Sequence, residues 1–543
     1  MDAGVTAGIC ISVLHTDMVN FAGVAPIMLH MAGSDTVVSI DGLGRWPQKA
    51  SVDYFLENHN GEIPVGILTA VVPAGPDAWI QALKRYGTLT FEDVSRDAIH
   101  LAENGFPMHR FMSNNIKSAV DDYRRWQTTA DVFLPAGRPP EPGEMFRQKD
   151  LARTLKRLVR AERKAKFTGR EKALDAAREA FYRGEIAEAI VDYHEKHGGL
   201  LTLEDFAAYR VNIETPPKIK FLEYEVFGCG PWSQGPALLQ ALNLVEAVDV
   251  KPLGHNSAEY IHCVTEALKL AFADRETYIG DPEFVDVPLT GLLSKEYARQ
   301  RIFHIDRDKA WTEMPPAGDP WPYQGDLSPN DLHRSEPPRP SLRPGKNDHL
   351  DTSYVAVVDR YGNVFSAVPS DIPTNTPIIP PTGLAVSSRG VQSRVDKNHP
   401  ASIAPGKRPR LTPNPCMIFR DGRPFMVVGT PGGDVQCQVV LQVILNHIVF
   451  GFGLQEAIEA PRFSTFNFPN SFSPHAYFPG LLRIEDRVPI SVIEQLIQKG
   501  HKIDPWPAWA WKAGGVCAIT IDRTQGVLLG AADPRRESYA AGW

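Results

Sequence analysis

One threonine stands where a chain could both be cut and do chemistry. Thr352 opens the segment TSYVAVVDRYGNVFSAVPS directly behind residues 305–350, a stretch that holds 9 of the chain's 46 prolines. Proline removes backbone donors and opposes helix and central strand, so that stretch reads as an extended, exposed connector. A threonine freed at its amino end carries nucleophile and base together. Its hydroxyl attacks, and its α-amine, with a reference pKa of about 7.7–8.0, accepts the proton near neutrality where a lysine would stay charged. Before the cut, the same hydroxyl attacks the carbonyl of Asp351, and hydrolysis of the resulting ester liberates the amine.

The segment after the connector predicts strand, turn, strand, with Gly362 suited to a left-handed turn position. If Asp359 pairs with Asn363 around the loop Arg360-Tyr361-Gly362, every cross-strand pair is set, and Thr352 faces Ser370. Opposed side chains in an antiparallel pair lie about 4.5–5.5 Å apart at Cβ, within reach of a hydroxyl-to-hydroxyl hydrogen bond. A bulge at Gly362 would slip this by one residue, and from these residues alone both hydroxyls also read as ordinary strand positions. Further on, RPFMVV reads as strand, GTPGGD as turn and VQCQVVLQVILNHIVFG as helix. That places the amides of Gly432 and Gly433 at a helix N-terminus, where anionic oxygen is stabilised. Phosphate would suit such amides too, but the GK[ST] ending of a P-loop does not follow.

The elements that must position these residues follow from patterning. Residues 1–90 read as mixed α/β: an Ala/Gly-rich helical opening, then the β-branched segments DTVVSI and GILTAVV between Gly and Pro punctuation. From about 90 to 210 apolar residues recur at helical spacing with Lys and Arg between them, which reads as solvated helix faces rather than a nucleic-acid surface. His194 and His197 could share a helix face, but no third metal ligand is near them in sequence. SAEYIHCVTEALKLAFADRETYI reads as a further helix.

Composition sets the frame. The chain has 543 residues, 57 Lys+Arg against 64 Asp+Glu for a net charge of −7, and is 43% hydrophobic and 22% charged. These values are those of a globular protein with a large core, and they argue against nucleic acid as a partner. Cys10, Cys229, Cys263, Cys416, Cys437 and Cys517 form no CxxC pair and no zinc spacing; they read as small hydrophobes, with no metal centre expected. The N-terminus lacks the basic start and cleavage site of a signal peptide, and no run of 18 apolar residues occurs. A soluble, cytoplasmic protein without a membrane partner is expected.

DTSYVAVVDRYGN, GKRPR with TPNP, GTPGGD before a helix, PRF at Pro461–Phe463 and the closing GAADPRRESYAAG, together with GGLLTLEDFAAY, GPWSQGPALLQALNLVE and EALKLAFADRETYIGDP upstream, resemble the γ-glutamyltranspeptidase family of N-terminal-nucleophile hydrolases. The resemblance runs over nearly the whole chain, with its motifs in family order. It implies an α/β (α+β) fold of the four-layer αββα sandwich type. It also implies cleavage before the catalytic threonine into a large subunit, 1–351, ending in the connector 305–350, and a small catalytic subunit, 352–543, interlaced in one domain. Carried over residue by residue, the nucleophile falls on Thr352, the second hydroxyl on Ser370 and the oxyanion glycines on Gly432 and Gly433.

The substrate positions depart from the family pattern. Leu43 stands where the family has the arginine for the substrate α-carboxylate, leaving Arg45 two residues away. The asparagine and aspartate that read the α-amine correspond to Ile372 and Gln392, and the family's paired serines to Leu411 and Thr412. Arg45 or Arg389, three residues before Gln392, could hold a carboxylate at another angle. The chain starts where the family is already inside its first long helix, so a preceding strand and any leader would lie upstream. The expected function is a self-processing amide hydrolase or acyltransferase acting through an acyl-enzyme on Thr352, without metal or organic cofactor. Its partners would be a small amide and the two subunits with each other, a homo-oligomer staying open. An ordinary γ-glutamyltranspeptidase (glutathione hydrolase) and a catalytically silent binding or scaffold relative are the alternatives.

Overall fold

The structure, a computed structural model, describes residues 1–325 and 351–543; the connector's residues 326–350 lie outside the described residues. Its described part, 305–325, is irregular apart from the 3-10 turn Trp321–Tyr323. The chain forms two compact units. The first comprises Met1–Thr215, Asp351–Val391 and Ile403–Pro409, and the second Pro216–Leu350, Gln392–Ser402 and Arg410–Trp543. Each unit takes residues from both sides of Thr352.

The first unit holds a five-stranded antiparallel sheet in the order Ile213–Glu214, Val37–Ile40, Ile27–His30, Val364–Ala367, Val355–Val358. Ile27–His30, buried along its whole length, is a central strand whose short run carried too little alternation to be read from sequence. The helix Asp2–Leu14 packs so closely that two of its glycines admit no side chain. A Cβ on Gly4 would lie 2.3 Å from the Phe365 ring, and one on Gly8 would lie 2.4 Å from the Trp79 ring. The helix Lys149–Ala165 buries Leu151, Leu155, Leu158 and Val159 on one stripe. Its basic residues meet acids, Lys156 on Glu103 and Arg163 on Glu92, as expected of a solvated face.

GILTAVV is a correction. It forms the 3-10 turn Ile67–Thr69 and then a buried extended stretch outside any sheet, in which Val71 N–H donates to the Ser387 carbonyl and Val72 N–H to the Arg45 carbonyl, each at 3.0 Å. Single bonds to loops satisfy its backbone, so β-branched composition did not require a ladder.

The second unit holds a six-stranded antiparallel sheet, Val527–Ala532, Cys517–Asp522, Arg423–Gly429, Cys416–Arg420, Tyr224–Phe227, Lys218–Phe221. Its core joins Ile418, Val428 and Val226 to Leu238, Leu242, Ile261 and Val440 from three helices. One of these, Ala258–Tyr278, is buried almost throughout, including Glu266, Lys269, Asp274, Arg275 and Glu276. Buried charges require partners, and this helix has them. Cys229, Cys263, Cys416 and Cys437 are buried, Cys10 and Cys517 are half-buried, and none of the six is in a disulfide. Among the described residues no helix is long and apolar enough to cross a membrane.

Candidate active site

The hairpin forms in the unslipped register. Val355 pairs with Ala367 and Val358 with Val364, Asp359 N–H donates to the Asn363 carbonyl at 3.1 Å, and Gly362 takes φ +88°. Both strands end before Thr352 and Ser370, yet the register carries through, because Ser353 N–H donates to the Pro369 carbonyl at 3.0 Å. Thr352 Oγ lies 2.6 Å from Ser370 Oγ, and both residues are fully buried.

Backbone bonds from the irregular stretch after the helix Asp2–Leu14 brace the pair. Thr352 N–H donates to the Met18 carbonyl at 3.1 Å, and Ser370 exchanges bonds with Val24 at 3.0 and 3.3 Å. Thr352 itself has φ +100°. A β-branched residue in that region stores about 1–3 kcal/mol of strain.

Buried polar contacts surround the two hydroxyls. Arg389 Nη2 donates to both Ser370 Oγ and Asp351 Oδ2, and Thr352 Oγ donates to Asp351 Oδ1 at 3.2 Å. With Thr352's proton directed to the carboxylate, the serine hydroxyl is the donor in the 2.6 Å contact. Arg389 also faces Asp371, Nε to Oδ2 at 3.6 Å. Asp371 is fixed in turn by Ser387 Oγ at 2.7 Å, Ser388 Oγ at 2.8 Å and Ser388 N–H at 3.0 Å. Burial pushes the Asp371 carboxyl up, with Arg389 opposing. Burial also works against the Arg389 charge, but Asp351 and Asp371 outweigh it and hold the guanidinium above its ordinary value.

Asp371, Ser387 and Ser388 are the polar residues sequence reasoning missed around this pair, and of Asp351 it read the carbonyl but not the side chain. The adjacency of Ser370 to Asp371 and the run Ser387-Ser388-Arg389 were the available signals, but nothing in them says they converge. Arg45 is half-buried and donates Nη1 to the Gly406 carbonyl at 3.1 Å. Its neighbour Trp46 packs on the Arg389 turn, where a Cβ on Gly390 would lie 2.5 Å from the indole.

In the second unit, Gly432 and Gly433 form the turn between the strand Arg423–Gly429 and the helix Val435–Ile444, with φ +130° and +55°. Among the described residues neither amide has a protein acceptor, while their carbonyls accept from Val435 and Gln436 at 3.0 and 3.2 Å. Gln392 Nε2 donates to Thr412 Oγ at 2.8 Å. Gln234 Nε2 ties this pair to the glycine turn by donating to the Thr412 carbonyl at 2.8 Å and the Gly433 carbonyl at 3.0 Å. Asp434, the residue after the glycines, accepts from Arg275 at 2.5 Å and from Ser471 Oγ at 2.6 Å. A Cβ on Gly432 would meet nothing nearer than Val435 Cβ at 3.5 Å. The expected cost of Gly432→Ala therefore comes from backbone strain, about 1–3 kcal/mol, read as a lower denaturation midpoint.

His262, Glu266 and His501 bring their ligand atoms within 4.8 Å of one another. They contact one another and Lys269, and His501 Nδ1 is buried without a hydrogen-bond partner among the described residues. His262 Nδ1 and His501 Nε2 share a hydrogen bond at 2.9 Å, and Lys269 already neutralises Glu266 at 2.7 Å. His194 is buried, which pushes its pKa down to about 3, whereas His197 is exposed and stacks on Tyr193.

The sequence profile of the family described as Gamma-glutamyltranspeptidase matches residues 1–543, the whole chain. The chain belongs to the γ-glutamyltranspeptidase family. It is 32% identical to the glutathione hydrolase proenzyme of Bacillus subtilis (strain 168), over 100% of this chain and 87% of the relative. It is also 32% identical to the acylase ACY 1 proenzyme of Pseudomonas sp. (strain V22), over 98% and 87%. The crystal structure of cephalosporin acylase from Bacillus halodurans superposes with a TM-score of 0.83 at 29% identity, covering 100% of this chain and 91% of that one. The α+β fold class implied by the family resemblance therefore holds. The protein is an enzyme of this family, an amidohydrolase or acyltransferase of the self-processing, N-terminal-nucleophile kind.

Proposed function

We propose that Thr352 is the nucleophile of this enzyme, first on its own chain and then on a small amide. The observation that carries the reading is the 2.6 Å contact between the buried Thr352 and Ser370 hydroxyls, on a strained residue that follows Asp351. In maturation Thr352 Oγ bonds to the Asp351 carbonyl carbon as the C–N bond between the two residues breaks, and the departing nitrogen takes up the hydroxyl proton. Water then cleaves the ester, leaving an Asp351 carboxyl and restoring the Thr352 hydroxyl. The cut removes the peptide bond that defines φ at Thr352, so the stored strain is released with it.

In turnover the liberated α-amine accepts the hydroxyl proton and delivers it to the leaving amine. The acyl ester on Thr352 is then released to water or to an acceptor amine. Gly432 and Gly433 are proposed as donors to the tetrahedral oxyanion. The products of maturation, residues 1–351 and 352–543, would stay together as a heterodimer, since each folded unit uses both.

Arg45, Gln392 and Thr412 are proposed to line the substrate side. γ-Glutamyl compounds are expected to be poor substrates. Leu43, fully buried, offers no charge where the family's arginine stands, and a buried carboxylate needs a charged or hydrogen-bonding partner. The naming of the Bacillus subtilis relative as a glutathione hydrolase favours the second reading, an ordinary glutathione hydrolase.

Intact-mass spectrometry tests the main proposal: fragments starting at Met1 and Thr352 are expected, and a chain that stays whole would overturn it. Ser370→Ala is expected to mature and to turn over at least about 2- to 13-fold more slowly, the equivalent of one net hydrogen bond. Unchanged steady-state kinetics would place Ser370 outside the site.

A further inference from the structure

In the uncut chain Arg389 already holds a carboxylate that belongs to an acyl group. Asp351 carries the carbonyl that Thr352 would attack, and its side-chain carboxylate sits on Arg389 Nη2 with the other oxygen 3.2 Å from Thr352 Oγ. The acyl group first presented to the nucleophile is thus a carbonyl carbon, two further carbons and a carboxylate, the skeleton of a succinyl group. Arg389 also faces Asp371 across 3.6 Å, an ion pair without a hydrogen bond, and Asp371 is held in turn by Ser387 and Ser388, so one carboxylate stays beside the guanidinium when Asp351 departs. The departure takes a carboxylate from a guanidinium that is fully buried in the uncut chain. Losing a partner from a buried ion pair is unfavourable, and a ligand that returns a carboxylate to the same place restores the pairing.

Resting on the reading that Thr352 is the nucleophile, we propose that Arg389 is the receptor for a carboxylate on the acyl part of the substrate. The preferred substrates are monoamides of short dicarboxylic acids, succinyl in spacing, placed as Asp351 is placed before the cut. Thr352 Oγ bonds to the succinyl carbonyl carbon as the C–N bond breaks, and the hydroxyl proton passes by way of the α-amine to the leaving amine. Water then cleaves the ester to give succinate and the restored hydroxyl. A γ-glutamyl group fits less well: its carboxylate lies one carbon further out, and its ammonium would approach the guanidinium as a like charge.

The test uses the mature enzyme and three p-nitroanilides: succinyl, glutaryl and the neutral succinamoyl isostere. The expected result is a kcat/KM for succinyl on the order of 10²-fold or more above succinamoyl, with glutaryl between them. Free succinate should inhibit competitively and succinamide should not. In Arg389→Gln the succinyl preference should collapse toward unity, and Arg389→Lys should recover part of it. If Arg389→Gln does not mature, the wild-type ratio and the succinate inhibition decide alone. Equal turnover of succinyl and succinamoyl anilides, with both acyl groups found on Thr352 by mass spectrometry, would overturn the receptor and leave the nucleophile standing. Turnover with no acyl group ever found on Thr352, or an uncut and inactive chain, would overturn both.

Discussion

Thr352→Ala is expected to give one uncut chain of 543 residues with no measurable amide turnover. Alanine has no oxygen to attack the Asp351 carbonyl, so the ester that precedes the cut never forms and the α-amine is never liberated. Two functions are lost by one substitution, because the same residue serves as nucleophile for maturation and as nucleophile and base for catalysis. The loss in turnover should be on the order of 10⁶-fold, as when the nucleophile of another acyl-transfer site is removed. The fold should survive, since the braces on Thr352 are backbone bonds, from its N–H to Met18 and from Ser353 N–H to Pro369. Denaturing electrophoresis and intact mass read the outcome. Cleavage of the alanine variant at the same bond would exclude self-processing by Thr352, whereas Thr352→Ser, which keeps the hydroxyl, is expected to mature.

Glu276→Ala is expected to lower stability by about 3–5 kcal/mol, the range for removing one member of a buried ionic group. Glu276 is buried against three guanidiniums and an imidazole. Arg394 lies at 2.7 Å, Arg275 at 3.0 Å, His399 at 3.3 Å, and Arg410 Nη2 donates directly to Oε1. Burial alone would raise its pKa, but Arg410, Arg394 and Arg275 hold it well below the carboxylate range.

The sign follows. A depressed folded pKa stabilises the protein above the unfolded carboxylate value of about 4.3, and that stability is lost as pH falls toward the folded value. The variant should therefore show a lower urea midpoint at neutral pH and a shallower loss of stability on acidification. Arg275 also holds Asp434, next to the glycine turn, so the variant is expected to slow turnover as well. An unchanged midpoint would show that the cluster contributes no net stability.

Several features were legible in the chain itself. The hairpin register followed from one turn, because a pleated strand alternates sides every residue and a loop of known length sets every pair beyond it. That register sets Thr352 opposite Ser370, and the helix Lys149–Ala165 is plain from its apolar spacing, while Ala258–Tyr278 also reads as a helix. GILTAVV misled because β-branched composition reports a fit to buried extended backbone, not the presence of a neighbouring strand. The buried acids and bases of Ala258–Tyr278 carried no warning of Arg394, His399 and Arg410, whose positions in sequence are more than a hundred residues away.

The sequence by itself determined the elements, the turn that opposes the two hydroxyls and the family to which the chain belongs, because these depend on local spacing and on motifs in order. Tertiary structure alone decided that Arg389 reaches Ser370, Asp351 and Asp371 together. A guanidinium's partners are chosen by where the chain's distant segments meet, and neither spacing nor composition encodes that meeting. The strain at Thr352 was likewise invisible beforehand: threonine does not favour a φ of +100°, and only the bonds that hold Thr352 and Ser353 from two other segments impose it.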